Sequence, residues 1–112
     1  MTKVIYYTTE NGDIPTKKFI ESLTAKQRRK IARVLNYIEE YGLLTAIPHV
    51  KKLSSTPLWE IRILGKDNIR VFYASVLEDA ILLLHGFIKK SQQTPRKEIQ
   101  TAVNRLTEWQ NE

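Results

Sequence analysis

Leu58-Trp59-Glu60-Ile61-Arg62-Ile63 is the stretch whose reading decides the fold. Bulky apolar side chains alternate there with charged ones, the two-residue period of a strand with one buried face. Trp59, Ile61 and Ile63 are expected to face the helices, which leaves Glu60 and Arg62 together on the opposite face. This strand is expected over Leu58 to Leu64, and Ile69 to Val76 and Ala80 to Ile88 follow as two further runs of β-branched, aromatic and aliphatic residues. The links Gly65-Lys66-Asp67-Asn68 and Leu77-Glu78-Asp79 are short enough to favour antiparallel neighbours.

Upstream, Val4 to Thr8 reads as an opening strand that ends in the turn residues Glu10-Asn11-Gly12-Asp13. Pro15 suits the first turn of a helix running to about Leu23, because its missing N–H is not needed there. Thr24 and Gln27 have the spacing of a capping box and open a second helix. In it Ile31, Val34, Leu35, Ile38 and Tyr41 form an apolar stripe, Lys26, Arg29, Lys30 and Arg33 occupy another face, and Gly42 is the C-cap. Leu43 to Pro57 reads as a connecting loop. Downstream, Thr94 is the expected N-cap and Pro95 the first residue of a last helix with Ile99, Ala102, Val103 and Leu106 on one face. That helix either closes the core or offers its surface to a partner. The order β-α-α-β-β-β-α predicts an α+β domain, a small, twisted, mostly antiparallel sheet packed by helices. A single domain over residues 1–112 is expected at this length.

Eighteen Lys and Arg against twelve Asp and Glu give a formal charge of +6, which makes a nucleic-acid partner reasonable. Five cations and no acid lie between Lys26 and Arg33, and four cations and no acid between Lys89 and Lys97. The first cluster is either a solvated helix face or a docking surface for a polyanion. The chain has no Cys, which excludes a disulfide, a thiolate nucleophile and a cysteine metal site. The lack of Cys favours a cytoplasmic protein, and no membrane attachment is expected, since the N-terminal residues lack a signal-like apolar run and the longest aliphatic run, Ala80 to Leu84, is far too short to span a bilayer.

Glu60 and Arg62 taken alone read as a solvated pair worth roughly a few tenths of a kcal/mol. Accumulation changes that reading. Arg70 begins the adjoining strand, and Lys89 and Lys90 end the last one beside His85 and Phe87. Like charges held close repel one another unless an anion is expected, so the pattern points to a phosphate or an anionic transition state. Phe72, Tyr73 and Phe87 are either stacking surfaces for bases or core residues. His85 is a candidate acid or base, or a satisfied structural residue, and His49 falls in the irregular loop. Two histidines without clustered carboxylates make a metal site unexpected, and no cofactor is called for.

Leu-Trp-Glu-Ile-Arg, then Arg-Val-Phe-Tyr, then Leu-Leu-His-Gly-Phe-Ile-Lys-Lys-Ser-Gln-Gln-Thr-Pro-Arg-Lys-Glu-Ile resemble the phage-derived branch of HigB toxins in the RelE/ParE superfamily, from the first strand through Ala102. The resemblance implies the toxin of a type II toxin–antitoxin pair, a ribosome-dependent, metal-independent mRNA endonuclease that works by 2′-hydroxyl attack to leave a 2′,3′-cyclic phosphate. It also implies a HigA-like helix-turn-helix antitoxin as partner. On matching positions it places Arg62, Arg70 and Lys90 in the catalytic set. Glu60 stands where RelE has a basic residue, so it is expected as general base or as a group orienting Arg62. No Tyr follows Tyr73, so the terminal-helix tyrosine of RelE has no counterpart. Lys51, Lys52 and Lys89, with Phe87 and His85, are the expected contacts to mRNA or ribosomal RNA. Rival readings are a ParE-like gyrase inhibitor without nuclease chemistry and a non-catalytic nucleic-acid-binding module.

Overall fold

The computed structural model describes residues 2–42, 50–63, 65 and 68–112. Its elements are β1 (Lys3–Tyr6), α1 (Pro15–Glu21), α2 (Ala25–Tyr41), β2 (Val50–Lys52), β3 (Trp59–Ile63), β4 (Ile69–Val76), β5 (Ala80–Ile88) and α3 (Arg96–Gln110). Leu43 to Pro48, His49, Leu64, Lys66 and Asp67, which the sequence reading placed in loop, strand end and turn, lie outside the described residues.

The strands form one mixed sheet in the order β1-β5-β4-β3-β2. β2, β3, β4 and β5 pair antiparallel, and β1 adds to β5 in parallel. β2 lies inside the segment read as loop. Three residues flanked by Pro48 and Pro57 are too few to show a period, and β2 is held by its ladder to β3, where Lys51 faces Glu60.

Each face of the sheet carries a separate core. On one, Leu23, Ile31, Leu35 and Ile38 pack on Ile61, Ile63, Ile69, Val71, Tyr73, Ile81 and Leu83. The alternation in β3 is thus realised, with Trp59, Ile61 and Ile63 turned toward α1 and α2. On the other face, Ala102 and Leu106 cover Leu82, Leu84, Phe72, Ala74 and Phe87. Burying each such aliphatic side chain is worth about 1.5–3 kcal/mol, which fixes both faces firmly.

Local sequence sets the helix ends. Gln27 N–H donates to Thr24 Oγ1 at 3.2 Å and Thr24 N–H donates to Gln27 Oε1 at 2.9 Å, a complete capping box for α2. Gly42 ends α2 at φ 88°, a conformation open to glycine. α3 begins one residue later than the Thr94 cap predicts. Pro95 is itself extended, with ψ 136°, and its carbonyl accepts from Glu98 N–H at 3.1 Å, so Pro95 is the N-cap.

Candidate active site

The site lies on the α3-side face of the sheet, at the end where β4 begins and β5 stops, beyond the residues that α3 covers. Cross-strand register puts Arg62 opposite Arg70 and Arg70 opposite Phe87, and in the next row Lys51 opposite Glu60, Glu60 opposite Phe72 and Phe72 opposite His85. A register shift between Phe72 and Tyr73 leaves Leu84 of β5 unopposed. Such a bulge places two successive residues on one side. Ala80, Leu82 and Leu84 therefore share their face with His85 and Phe87, while Gly86 turns to the other face against Phe19. Without the bulge His85 and Phe87 would point at α1.

Glu60 does not form the solvated pair with Arg62 that alternation suggests. It is buried, 4% exposed, and its carboxylate faces the diagonal Arg70, which is 9% exposed. Glu60 Oε1 lies 3.6 Å from Arg70 Nε, a Coulombic contact longer than a hydrogen bond. Among the described residues Glu60 Oε2 and Arg70 Nε have no hydrogen-bond partner, while Arg70 Nη1 donates to the Ile69 carbonyl at 3.1 Å. A diagonal pair of this kind is within reach of long side chains. It also neutralises one of two arginines that would otherwise repel across the β3–β4 ladder.

An open cleft of about 470 Å³ adjoins this pair, lined by Asn68, Arg70, Lys89, Lys90, Ser91 and Gln92. Lys89 N–H donates to the Asn68 carbonyl at 2.8 Å, which draws the end of β5 against the start of β4. Asn68 sits at φ 54°, a left-handed position that asparagine tolerates. Arg62, Lys89 and Lys90 make no side-chain hydrogen bond or ion pair with another described residue. The cleft is a place for an anion: a guanidinium held by Glu60 at the floor, unneutralised cations around it, and neutral donors at the rim. Glu60 does not line it. Among the described residues no group of three His, Asp or Glu side chains could hold a metal ion.

His85 is engaged elsewhere. Its Nε2 lies 3.1 Å from Glu98 Oε1, and Arg105 Nη1 approaches its Nδ1 at 3.3 Å while also donating to the Leu84 carbonyl at 2.8 Å. Burial, aided by the Arg105 charge and opposed by Glu98, pushes the imidazole below its ordinary 6.5. A neutral ring that donates from Nε2 and accepts at Nδ1 satisfies both partners. The Tyr7 hydroxyl extends the network by donating to Glu108 at 2.7 Å. These contacts hold α3 on the sheet.

Phe87 is buried, edge-on to Phe72 at 5.0 Å and stacked on His85 at 5.6 Å. Lys51 is exposed on the β2 edge of the site face. Lys52 points to the other side, its ammonium 5.5 Å above the Trp59 ring. The structure thus gathers Arg70, Lys89 and Lys90 at the cleft, leaves Arg62 outside its lining but beside Arg70 on the neighbouring strand, sets Glu60 behind them, and places Lys52, His85 and Phe87 in packing roles. Sequence reasoning missed Asn68, Ser91 and Gln92 in the cleft and Glu98 and Arg105 around His85. Only Asn68, a turn residue beside Arg70, carried a readable signal.

Residues 18–107 match the family model described as Phage derived protein Gp49-like (DUF891). The chain belongs to this family, a RelE/ParE-like toxin family. No curated protein matches it. The mixed five-strand sheet with three helices is compatible with the RelE-like fold, and the matched residues span the elements that build the cleft, from α1 into α3.

Proposed function

We propose that the chain is the HigB-like toxin of a type II toxin–antitoxin pair and cleaves mRNA on the ribosome. The single observation that carries this reading is the convergence of Arg70, Lys89 and Lys90 at one cleft in a Gp49-like chain, with Arg62 beside Arg70 across the β3–β4 ladder. The ribose 2′-oxygen attacks the adjacent phosphorus as the P–O5′ bond breaks, leaving a 2′,3′-cyclic phosphate. The proton of the 2′-hydroxyl passes to solvent and the departing 5′-oxygen takes one from the Lys90 ammonium. Arg70 and Arg62 stabilise the added negative charge on the phosphorane, where a single such donor is worth about 10²–10³ in rate. Glu60 acts through Arg70 as a positioning group, since the carboxylate is buried beside the guanidinium and away from the cleft lining. The partner expected to silence the toxin is a HigA-like helix-turn-helix antitoxin, and the expected site of action is the cytoplasm.

Primer-extension mapping of cellular mRNA after brief induction tests the reading. Cuts within codons, in frame with translation, are expected, and Lys90→Ala abolishes them. Gyrase-linked DNA breaks with intact message would instead assign the chain to the ParE-like, non-nucleolytic activity.

A further inference from the structure

The longest helix carries a surface that the cleft does not use. Arg29, Arg33, Tyr37 and Tyr41 follow one another at four-residue spacing along α2 and all four are exposed, with Lys26 exposed beside them. Side chains at that spacing stack into one ridge, here about 18 Å long at 1.5 Å per residue. Tyr37 is 48% and Tyr41 59% exposed, and their rings lie 4.9 Å apart at a 50° tilt. The core of α2 does not need them, because Ile31, Leu35 and Ile38 already bury the inner stripe.

The ridge has polarity, and its direction relative to the cleft is fixed. Lys30 Nζ lies 3.1 Å from where a Cβ on Gly65 would stand, so the first half of α2 abuts the β3–β4 turn, the end of the sheet where Asn68 lines the cleft. The Glu39 carbonyl accepts from Thr2 N–H at 3.1 Å, which puts the tyrosine end beside the start of β1, at the opposite end of the sheet. The cationic half is therefore continuous with the cationic cleft around one end of the sheet, and the aromatic half leads away from it. Glu40, exposed at the tyrosine end, disfavours phosphate there and leaves that end for an uncharged group.

We infer that this ridge is a second RNA contact, in which Lys26, Arg29 and Arg33 take backbone phosphates and the Tyr37–Tyr41 pair receives an unpaired base. The inference rests on the RNA-directed reading of the cleft, and names what holds the RNA outside the scissile segment. Phosphates answer the cations electrostatically, and a base answers the rings because every base presents a π face. An acidic protein surface would satisfy the cations but would not call for two exposed rings beyond them.

Fluorescence anisotropy of the full chain with a labelled RNA hairpin bearing an unpaired loop, over a range of KCl, tests this. Arg29→Gln with Arg33→Gln is expected to weaken binding and to lower the slope of log affinity against log salt by roughly 1.4–1.8, the share of two phosphates. Tyr37→Ser with Tyr41→Ser is expected to weaken binding roughly 5- to 150-fold with the slope unchanged, and to leave binding of a fully paired RNA duplex intact. Both double variants should unfold at the parent temperature, since all four side chains are exposed. Wild-type hairpin affinity in either double variant overturns the inference. So does equal loss on hairpin and duplex in the tyrosine variant, or a shift from dimer to monomer on removing the tyrosines, which would make the ridge a self-interface. Equal affinity for DNA of the same sequence overturns the assignment to RNA. The assay reads binding alone and is repeated on Lys90→Ala, so failure of the cleavage reading and failure of the ridge are seen separately.

Discussion

Glu60 meets Arg70 and not Arg62 because partners in a sheet are set by register, and register is invisible in one strand read by itself. Two residues apart on β3, Glu60 and Arg62 share a face, but the guanidinium that reaches the carboxylate comes diagonally from β4. Their burial makes the pair costly to break. Glu60→Ala, which leaves a buried guanidinium without counter-charge, is expected to lower the unfolding free energy by about 3–5 kcal/mol, while Glu60→Leu with Arg70→Met is expected near the parent or above it. Urea unfolding of Glu60→Leu, of Arg70→Met and of the double closes the cycle, and additive losses would show that the two groups do not interact. His85 makes a second residue-scale prediction. Its folded pKa is depressed, so the unfolded chain binds more protons below 6.5, and the stability tied to the neutral ring is present above 6.5 and lost as pH falls through the folded value. Unfolding free energy should therefore fall more steeply between neutral and mildly acid pH in the parent than in His85→Gln, with a difference in slope of up to about 1.4 kcal/mol per pH unit.

β3, β4 and β5 were legible as elements because their runs are long, and because β3 alternates cleanly between core and site. β5 shows where that legibility ends. Ala-Ile-Leu-Leu-Leu-His-Gly-Phe-Ile is apolar on both sides of the strand, so no period marks the bulge at Leu84 that turns His85 and Phe87 toward α3. β2 was missed for a related reason, since three residues of an edge strand owe their form to Glu60 and Ile61 across the ladder. Gly86 is the point at which β5 shows its dependence on the helices. A Cβ there would lie 2.4 Å from the Phe19 ring, so in Gly86→Ala that ring, or α1 with it, must shift. A loss of about 1–3 kcal/mol is expected, smaller in a Phe19→Leu background, measured by chemical denaturation. An equal loss in both backgrounds would mean that the Phe19 ring is not what excludes the methyl.

At the scale of the whole molecule, α3 divides the sheet face it packs on. One part becomes core, and the other is left as a cationic floor and rim whose members differ in burial. Arg70 is buried against Glu60, Arg62 and Lys89 are half-buried, and Lys90 is exposed at the cleft. Stability and function should therefore separate along the depth of the site. Lys90→Ala removes a charge that no described residue pairs with, and surface changes of that kind stay within about 0.5 kcal/mol of the parent. The same substitution removes the proton donor assigned to the leaving oxygen, with an expected loss of about 10²–10³ in cleavage rate. Arg70→Ala is expected to lose both activity and several kcal/mol of stability, because it strands Glu60. Arg70→Met with Glu60→Leu is expected to recover the stability while remaining inactive, and that recovery without activity is the diagnostic result. Growth inhibition on induction, read alongside urea unfolding of the same variants, measures both axes. If the stabilised double variant still arrested growth at the parent level, Arg70 would be a structural cation, and the anion of the transition state would have to be held by Arg62, Lys89 and Lys90 alone.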